Sequence, residues 1–207
     1  MNLEDVIIGT EHSLPRALVP DLSSEHAMAG STRYGIALGS NLGDRLANLK
    51  RGLGEVLAHA SGARLVAAAP VYETEPVGCP PGSLSFYNSV VEIASPLAPH
   101  AMHRVLQEVE RLLGRAQERE RNSPRPLDLD ILYAGRMEID DDTLIIPHPR
   151  LHQRRFVLQP LADIRPALVL PGHLQSISQL LEELGDDPSM VKRVAVGWTD
   201  SPEIKEV

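Results

Sequence analysis

The chain has 207 residues, 43% of them apolar, and a formal charge of −8 at neutral pH. That length suits one domain with a substantial core and tails, and the acidic balance argues against a nucleic-acid partner. No apolar run approaches the ~20 residues of a membrane-spanning helix, Glu4 and Asp5 stand where a secretory signal would be basic, and a lone Cys79 excludes an internal disulfide framework or a cysteine-based zinc site. A cytoplasmic protein with no membrane contact is the expectation. Seventeen of the 20 basic residues are arginine, with five between Arg111 and Arg125 and three between Arg150 and Arg155. Arginine suits bidentate phosphate recognition better than lysine does.

Residues 1–32 mix Pro, Ser, Gly and charges without sustained periodicity and read as a flexible N-terminal extension. Tyr34 to Leu38 is a short apolar strand ending in Gly39-Ser40-Asn41. A helix follows from about Asp44, with Leu46, Leu49, Leu53, Val56 and Leu57 on one face, and Ser61-Gly62 stops it. Arg64 to Tyr72 and Phe86 to Ile93 read as two strands around a Pro/Gly-rich loop, Pro76 to Gly82. Pro99 opens a second helix that buries Met102, Val105, Leu106, Val109, Leu112 and Leu113, and Gly114 ends it. Residues 115–125 form an arginine-rich loop, and 127–133 the next strand. The order β-α-β-β-α-β is the split βαβ arrangement of an α+β ferredoxin-like sandwich. Helices are expected on one face of its sheet, with the other covered by loops, later segments or a ligand. A short strand (Leu144 to Ile146), a Pro-His-Pro turn, helices at 155–163 and about 177–184, and a polar C-terminal tail over 186–207 complete the pattern. The folded unit is taken as residues 33–185.

Arg125-Pro-Leu-Asp-Leu-Asp-Ile-Leu132 carries the most chemistry. Side chains at i and i+2 share a strand face, so Asp128 and Asp130 project together while Leu127, Leu129 and Ile131 bury on the other side. Neighbouring carboxylates repel, and a hard divalent cation relieves that cost; Mg²⁺ is commonly held by one or two carboxylates plus substrate phosphates. Taken alone, so short a pattern favours an ordinary acidic strand face. The preceding arginine loop, too long for a tight connection, shifts the balance toward phosphoryl transfer. Gly39-Ser-Asn-Leu-Gly-Asp-Arg45 is neither a Walker A nor a dinucleotide fingerprint. It reads equally well as a strand-to-helix turn with Asp44 as N-cap.

Five blocks in order then carry a resemblance: Ala37 to Asp44, Tyr72 to Gly78, Phe86-Tyr87-Asn88, Ser123 to Asp130, and Pro147 to Leu151. Together they are similar to the 6-hydroxymethyl-7,8-dihydropterin pyrophosphokinase family over roughly residues 33–170. The resemblance implies a diphosphokinase that moves the β,γ-diphosphate of ATP to the pterin hydroxymethyl group in folate biosynthesis and releases AMP. Asp128 and Asp130 would hold a pair of Mg²⁺ ions, and Arg115 and Arg125 would engage the phosphates as the loop closes, these four forming the catalytic set. His148 and Arg154 would join them on ATP. Thr74, Val77 and Asn88 would meet the pterin, and Phe86 and Phe156, the only phenylalanines, would sandwich its ring. Two loop positions differ from the family pattern: Gln117 where a second arginine is usual, and Asn122 where tryptophan often stands. The implied partners are these two small substrates, and a monomer is expected sooner than an oligomer. A metal-dependent phosphohydrolase and a non-catalytic ferredoxin-like binding module are the alternatives; the first would not need the phenylalanine pair.

Overall fold

The computed structural model describes residues 30–76, 82, 84–114, 124–185 and 192–199. Its elements are β1 (Thr32–Ser40), α1 (Arg45–His59), β2 (Arg64–Ala68), β3 (Val71–Thr74), β4 (Phe86–Ser95), α2 (Pro99–Leu112) and β5 (Asp128–Ala134), followed by β6 (Ile139–Asp140), β7 (Ile145–Ile146), α3 (Arg155–Ile164), α4 (Ile177–Glu183) and β8 (Lys192–Ala195). The main sheet runs β5-β1-β4-β3-β8 with β2 also beside β4, and every pairing is antiparallel. It is a mixed α+β fold with four α-helices among the described residues. None of those helices is long and apolar enough to cross a membrane.

Local chemistry sets the boundaries. Asp44 caps α1 by accepting from the Ala47 N–H at 3.0 Å. Pro99 occupies the first turn of α2, where its missing N–H is harmless, and Gly114 follows with φ of 95°. Ser176 and Gln179 form a capping box on α4. The run expected as one strand over Arg64 to Tyr72 is two, β2 and β3, both hydrogen-bonded to β4. The break falls at Ala69-Pro70, where proline has no N–H to give a ladder. The Ala69 carbonyl there accepts instead from the Ser89 hydroxyl at 3.0 Å and the Trp198 indole at 2.8 Å.

Strand alternation sends two sets of side chains to two cores. Ile36, Leu38, Val91, Ile93, Leu129 and Ile131 pack against Leu49, Leu53 and Val56 of α1 and Met102, Leu106 and Val109 of α2. On the opposite face Val90, Leu132 and Tyr133 meet Val157, Leu158 and Leu161 of α3, with Ile177 and Leu180 of α4 behind them. Helices therefore cover both faces, not one, because the apolar stripes of α3 and α4 need a sheet to bury against. The C-terminal segment also departs from a polar tail: β8 pairs with β3, and Trp198 is buried. The buried indole, its N–H satisfied by the Ala69 carbonyl, anchors that segment together with the β3–β8 ladder.

Candidate active site

The α3 face of the sheet is left open toward one end of β1. A row of residues crosses the sheet there in register: Asp128 on β5 pairs with Gly39 on β1, Gly39 with Asn88 on β4, and Asn88 with Tyr72 on β3. Two residues along, Asp130 pairs with Ala37, and on the far side Thr74 pairs with Phe86. Strand spacing sets Asp128 and Asn88 about 10 Å apart. Gly39 lies between them without a side chain; a Cβ there would sit 2.9 Å from Asn88 Oδ1. Gly39 thus lets the Asn88 side chain lean in over the floor at its centre.

The two ends of the cleft differ in character. At the β5 end, Arg125 Nη1 donates to Asp128 Oδ1 at 2.8 Å, and the Arg154 guanidinium stands 4.0 Å from Asp130. Asn41 fixes the arginine segment in place: its Oδ1 accepts from the Arg125 N–H at 2.8 Å, and its own N–H donates to the Arg125 carbonyl at 3.2 Å. Among the described residues, the buried side-chain atoms left without a hydrogen-bond partner are Arg125 Nε and Asn41 Nδ2. Both belong to this wall, and unpaired buried donors are costly enough to mark a site that completes itself with a ligand. Burial draws the Arg154 guanidinium below its ordinary value, and Arg150 adds to this while Asp130 and Asp128 oppose it.

At the other end, Phe86 from β4 and Phe156 from the first turn of α3 both line the cleft, as do Thr74 and Asn88. Asn88 Nδ2 donates to Thr74 Oγ1 at 2.7 Å, so the pair is held together at the wall. The Arg154 guanidinium lies 5.6 Å from the Phe156 ring centroid and links the ionic end to the aromatic one.

Eight of the residues singled out from sequence come together here: Thr74, Phe86, Asn88, Arg125, Asp128, Asp130, Arg154 and Phe156. His148 stands outside the lining. Its backbone N–H donates to the Leu132 carbonyl at 2.9 Å, and its Nδ1 accepts from the Arg150 N–H at 3.1 Å. Burial holds its imidazole below the usual range, although Asp130 pulls the other way. Its first described duty is to shape the turn after the cis Ile146–Pro147 bond. Arg115, Val77, Gln117 and Asn122 lie outside the described residues.

Two groups escaped the sequence reading. Asn41 was visible only as part of a glycine-bearing turn, and nothing in the spacing tied it to Arg125, 84 positions away. Arg45, Glu73, Ser85 and Tyr87 form a polar hub on the reverse face, and only the fold joins those four positions.

Metal chemistry can be judged from the donor set. Two hard carboxylates share one strand face and remain partly exposed, with side-chain exposures of 27% for Asp128 and 44% for Asp130. No group of three or more His, Cys, Asp or Glu placed to hold a metal occurs among the described residues. Two carboxylates fit Mg²⁺ shared with substrate oxygens, and do not fit a closed all-protein cage.

The fold and site define an α+β protein with a cleft that is ionic at one end and aromatic at the other. Residues 35–166 match the family model for 7,8-dihydro-6-hydroxymethylpterin-pyrophosphokinase (HPPK), and the chain belongs to that family. It is 40% identical over 163 residues to a 2-amino-4-hydroxy-6-hydroxymethyldihydropteridine pyrophosphokinase of Methylorubrum extorquens, covering 79% of this chain and 99% of the relative. The enzyme of the same name from Bacillus subtilis is 43% identical over 129 residues, 62% of this chain and 75% of the relative. Crystal structures of Plasmodium falciparum HPPK-DHPS share the fold: one has a TM-score of 0.59 at 13% identity over 74% of this chain, which spans 44% of that protein.

Proposed function

We propose that this chain transfers the β,γ-diphosphate of ATP to the hydroxymethyl group of 6-hydroxymethyl-7,8-dihydropterin and releases AMP, a step of folate biosynthesis. Family membership supports the reaction. The observation that carries the site assignment is the row Asp128, Gly39, Asn88: it sets an ionic end and an aromatic end side by side in one cleft. Two substrates with those characters can lie next to each other there.

In this reading Phe86 and Phe156 grip the pterin by offset stacking, and Thr74 and Asn88 turn from each other to its hydrogen-bonding edge. Arg125 and Arg154 hold the triphosphate, with Arg115 from the loop before β5 and His148 from beside the cleft. Burial holds the His148 imidazole below its ordinary value, against the pull of Asp130, which favours a hydrogen-bonding role for it. Val77 adds to the pterin wall. Asp128 and Asp130 would hold a pair of Mg²⁺ ions. Such ions, when bound, neutralise charge on the β- and γ-phosphates. The chain's own residues orient the hydroxymethyl oxygen toward the β-phosphorus, withdraw negative charge through the guanidinium groups, and exclude water from the reacting centre.

The strand order β5-β1-β4-β3, with β2 and β3 together taking the place of one broken strand, is read as a ferredoxin-like sandwich extended by β8, α3 and α4. The catalytic unit is taken to begin at residue 33 and to reach Trp198, and the enzyme to act as a cytoplasmic monomer. The deciding assay supplies ATP, Mg²⁺ and hydroxymethyl-dihydropterin and follows AMP. Pterin-dependent AMP is the expected product, and ADP or inorganic phosphate as sole product would refute the proposal.

A further inference from the structure

Arg45 is the first residue of α1 and does not line the cleft, yet it joins three elements beneath the cleft's aromatic end. Its guanidinium carbon lies 3.7 Å from the centroid of the Tyr87 ring. Its Nη1 reaches Glu73 Oε1 at 3.0 Å, the Ser85 carbonyl at 2.8 Å and Ser85 Oγ at 2.7 Å. The Ser85 hydroxyl in turn donates to Glu73 Oε1 at 2.8 Å. Glu73 and Tyr87 are direct cross-strand partners, and so are Thr74 and Phe86 one step along. Side chains alternate between the faces of a sheet, so the hub is built from residues interleaved with Thr74, Phe86 and Asn88. It also ties the two ends of the β3–β4 connection, since Glu73 precedes that connection and Ser85 closes it.

Arg45 and Glu73 are partly exposed, with side-chain exposures of 23% and 33%. An ion pair so placed adds little to global stability. A planar guanidinium stacked on one ring and bonded to two neighbouring segments instead fixes relative position. We propose that Arg45 is a positioning residue for the pterin end of the cleft: by locking Glu73, Ser85 and Tyr87 on the reverse face, it sets the spacing of Thr74, Phe86 and Asn88 on the front. The inference rests on the pterin-binding role given to those three residues above.

Steady-state kinetics on wild type, Arg45→Ala, Arg45→Lys and Glu73→Gln test it, each with thermal melting. For Arg45→Ala the KM for the pterin rises about tenfold, while the KM for ATP stays within about twofold. Arg45→Lys keeps the charge opposite Glu73 but loses the flat stack on Tyr87, and falls between wild type and alanine. Glu73→Gln moves the pterin KM in the same direction. A merely structural role would lower the melting temperature and leave the ratio of the two KM values unchanged; that result overturns the proposal, as does an equal rise in both constants. If Arg45→Ala does not fold, the lysine and Glu73→Gln variants carry the same comparison. A wild-type enzyme that makes no pterin-dependent AMP refutes the functional reading itself, and that outcome appears before any variant is compared.

Discussion

Two arginine–carboxylate clusters sit on the α3 face of the sheet, toward opposite ends of β1, and they are finished differently. Around Glu92, the carboxylate itself is fully answered, although Arg33 and Arg165 beside it line an open hollow of their own. The carboxylate is 2% exposed; it accepts from Arg33 at 2.9 Å, from Arg165 Nε at 2.6 Å and from the Tyr133 hydroxyl at 2.6 Å, with a second bond from Arg165. Around Asp128 and Asp130, the carboxylates are partly exposed, one arginine contact is long at 4.0 Å, and Arg125 Nε has no partner among the described residues. The same backbone device serves both ends. Glycine on β1 leaves room for a neighbour: at Gly35 the Tyr133 ring fills that room so fully that a Cβ would lie 2.1 Å from its Cε1, whereas at Gly39 it admits the Asn88 side chain, which itself lines the cleft. A charge cluster whose every lone pair is answered holds the fold together. One left incomplete is ready for a ligand.

The sharpest break in this comparison comes from removing one carboxylate at each end. Asp128→Ala or Asp130→Ala should cost turnover roughly a thousandfold or more, about 4 kcal/mol of transition-state stabilisation, with little change in the urea midpoint. Activity close to wild type in both variants would end the metal-holding role. Glu92→Ala should do the reverse. Breaking a buried ion pair strands Arg165, Arg33 and the Tyr133 hydroxyl without an acceptor and should cost about 3 kcal/mol of stability, while the pterin KM of the remaining folded enzyme stays put. Gly35→Ala comes next. The added methyl must displace the Tyr133 ring from Glu92, an overpacking cost of about 2 kcal/mol, read from chemical denaturation. Equal stability to wild type would show that the tyrosine is not wedged in place by the glycine.

How much of this was legible beforehand divides along the same line. The apolar periodicities of α1 and α2, the Asp44 cap and the paired aspartates depend on local spacing, and they stand where the pattern placed them, except that Leu112, expected on the buried face of α2, is exposed at the helix's last turn. The Glu92 cluster was silent, since positions 33, 92, 133 and 165 are brought together only by the sheet. A register shift in the β1–β5 pairing hides it further. Gly35 pairs with Tyr133 and Ile36 with Ile131, so Leu132 is an extra residue that turns Tyr133 to the α3 face. Strict alternation from Asp128 and Asp130 would have put Tyr133 on the α1 side. The break at Ala69-Pro70 and the burial of Trp198 were missed for a related reason: they meet at one carbonyl, and no run of sequence contains both.

The smallest effect expected is also the most specific to charge. Burial alone would raise the Glu92 carboxyl, but hydrogen bonds from Arg165 and Tyr133 and the charges of Arg165 and Arg33 outweigh it and hold the group below the ordinary carboxylate range. The native state then keeps Glu92 ionised at pH values where the unfolded chain has begun to bind a proton. Its contribution to stability is therefore complete above the unfolded value, about 4.3, and is lost as pH falls through the folded one. Glu92→Gln keeps the shape and removes the charge, so its deficit against wild type should be on the order of 1 kcal/mol at pH 7 and should shrink as pH drops below that unfolded value. Urea midpoints of the two proteins at pH 7 and under acid conditions measure it. A deficit that does not change with pH would mean that hydrogen-bond geometry, and not the ionised carboxylate, binds this end of the sheet to α3, and the contrast with the open cleft would then rest on packing alone.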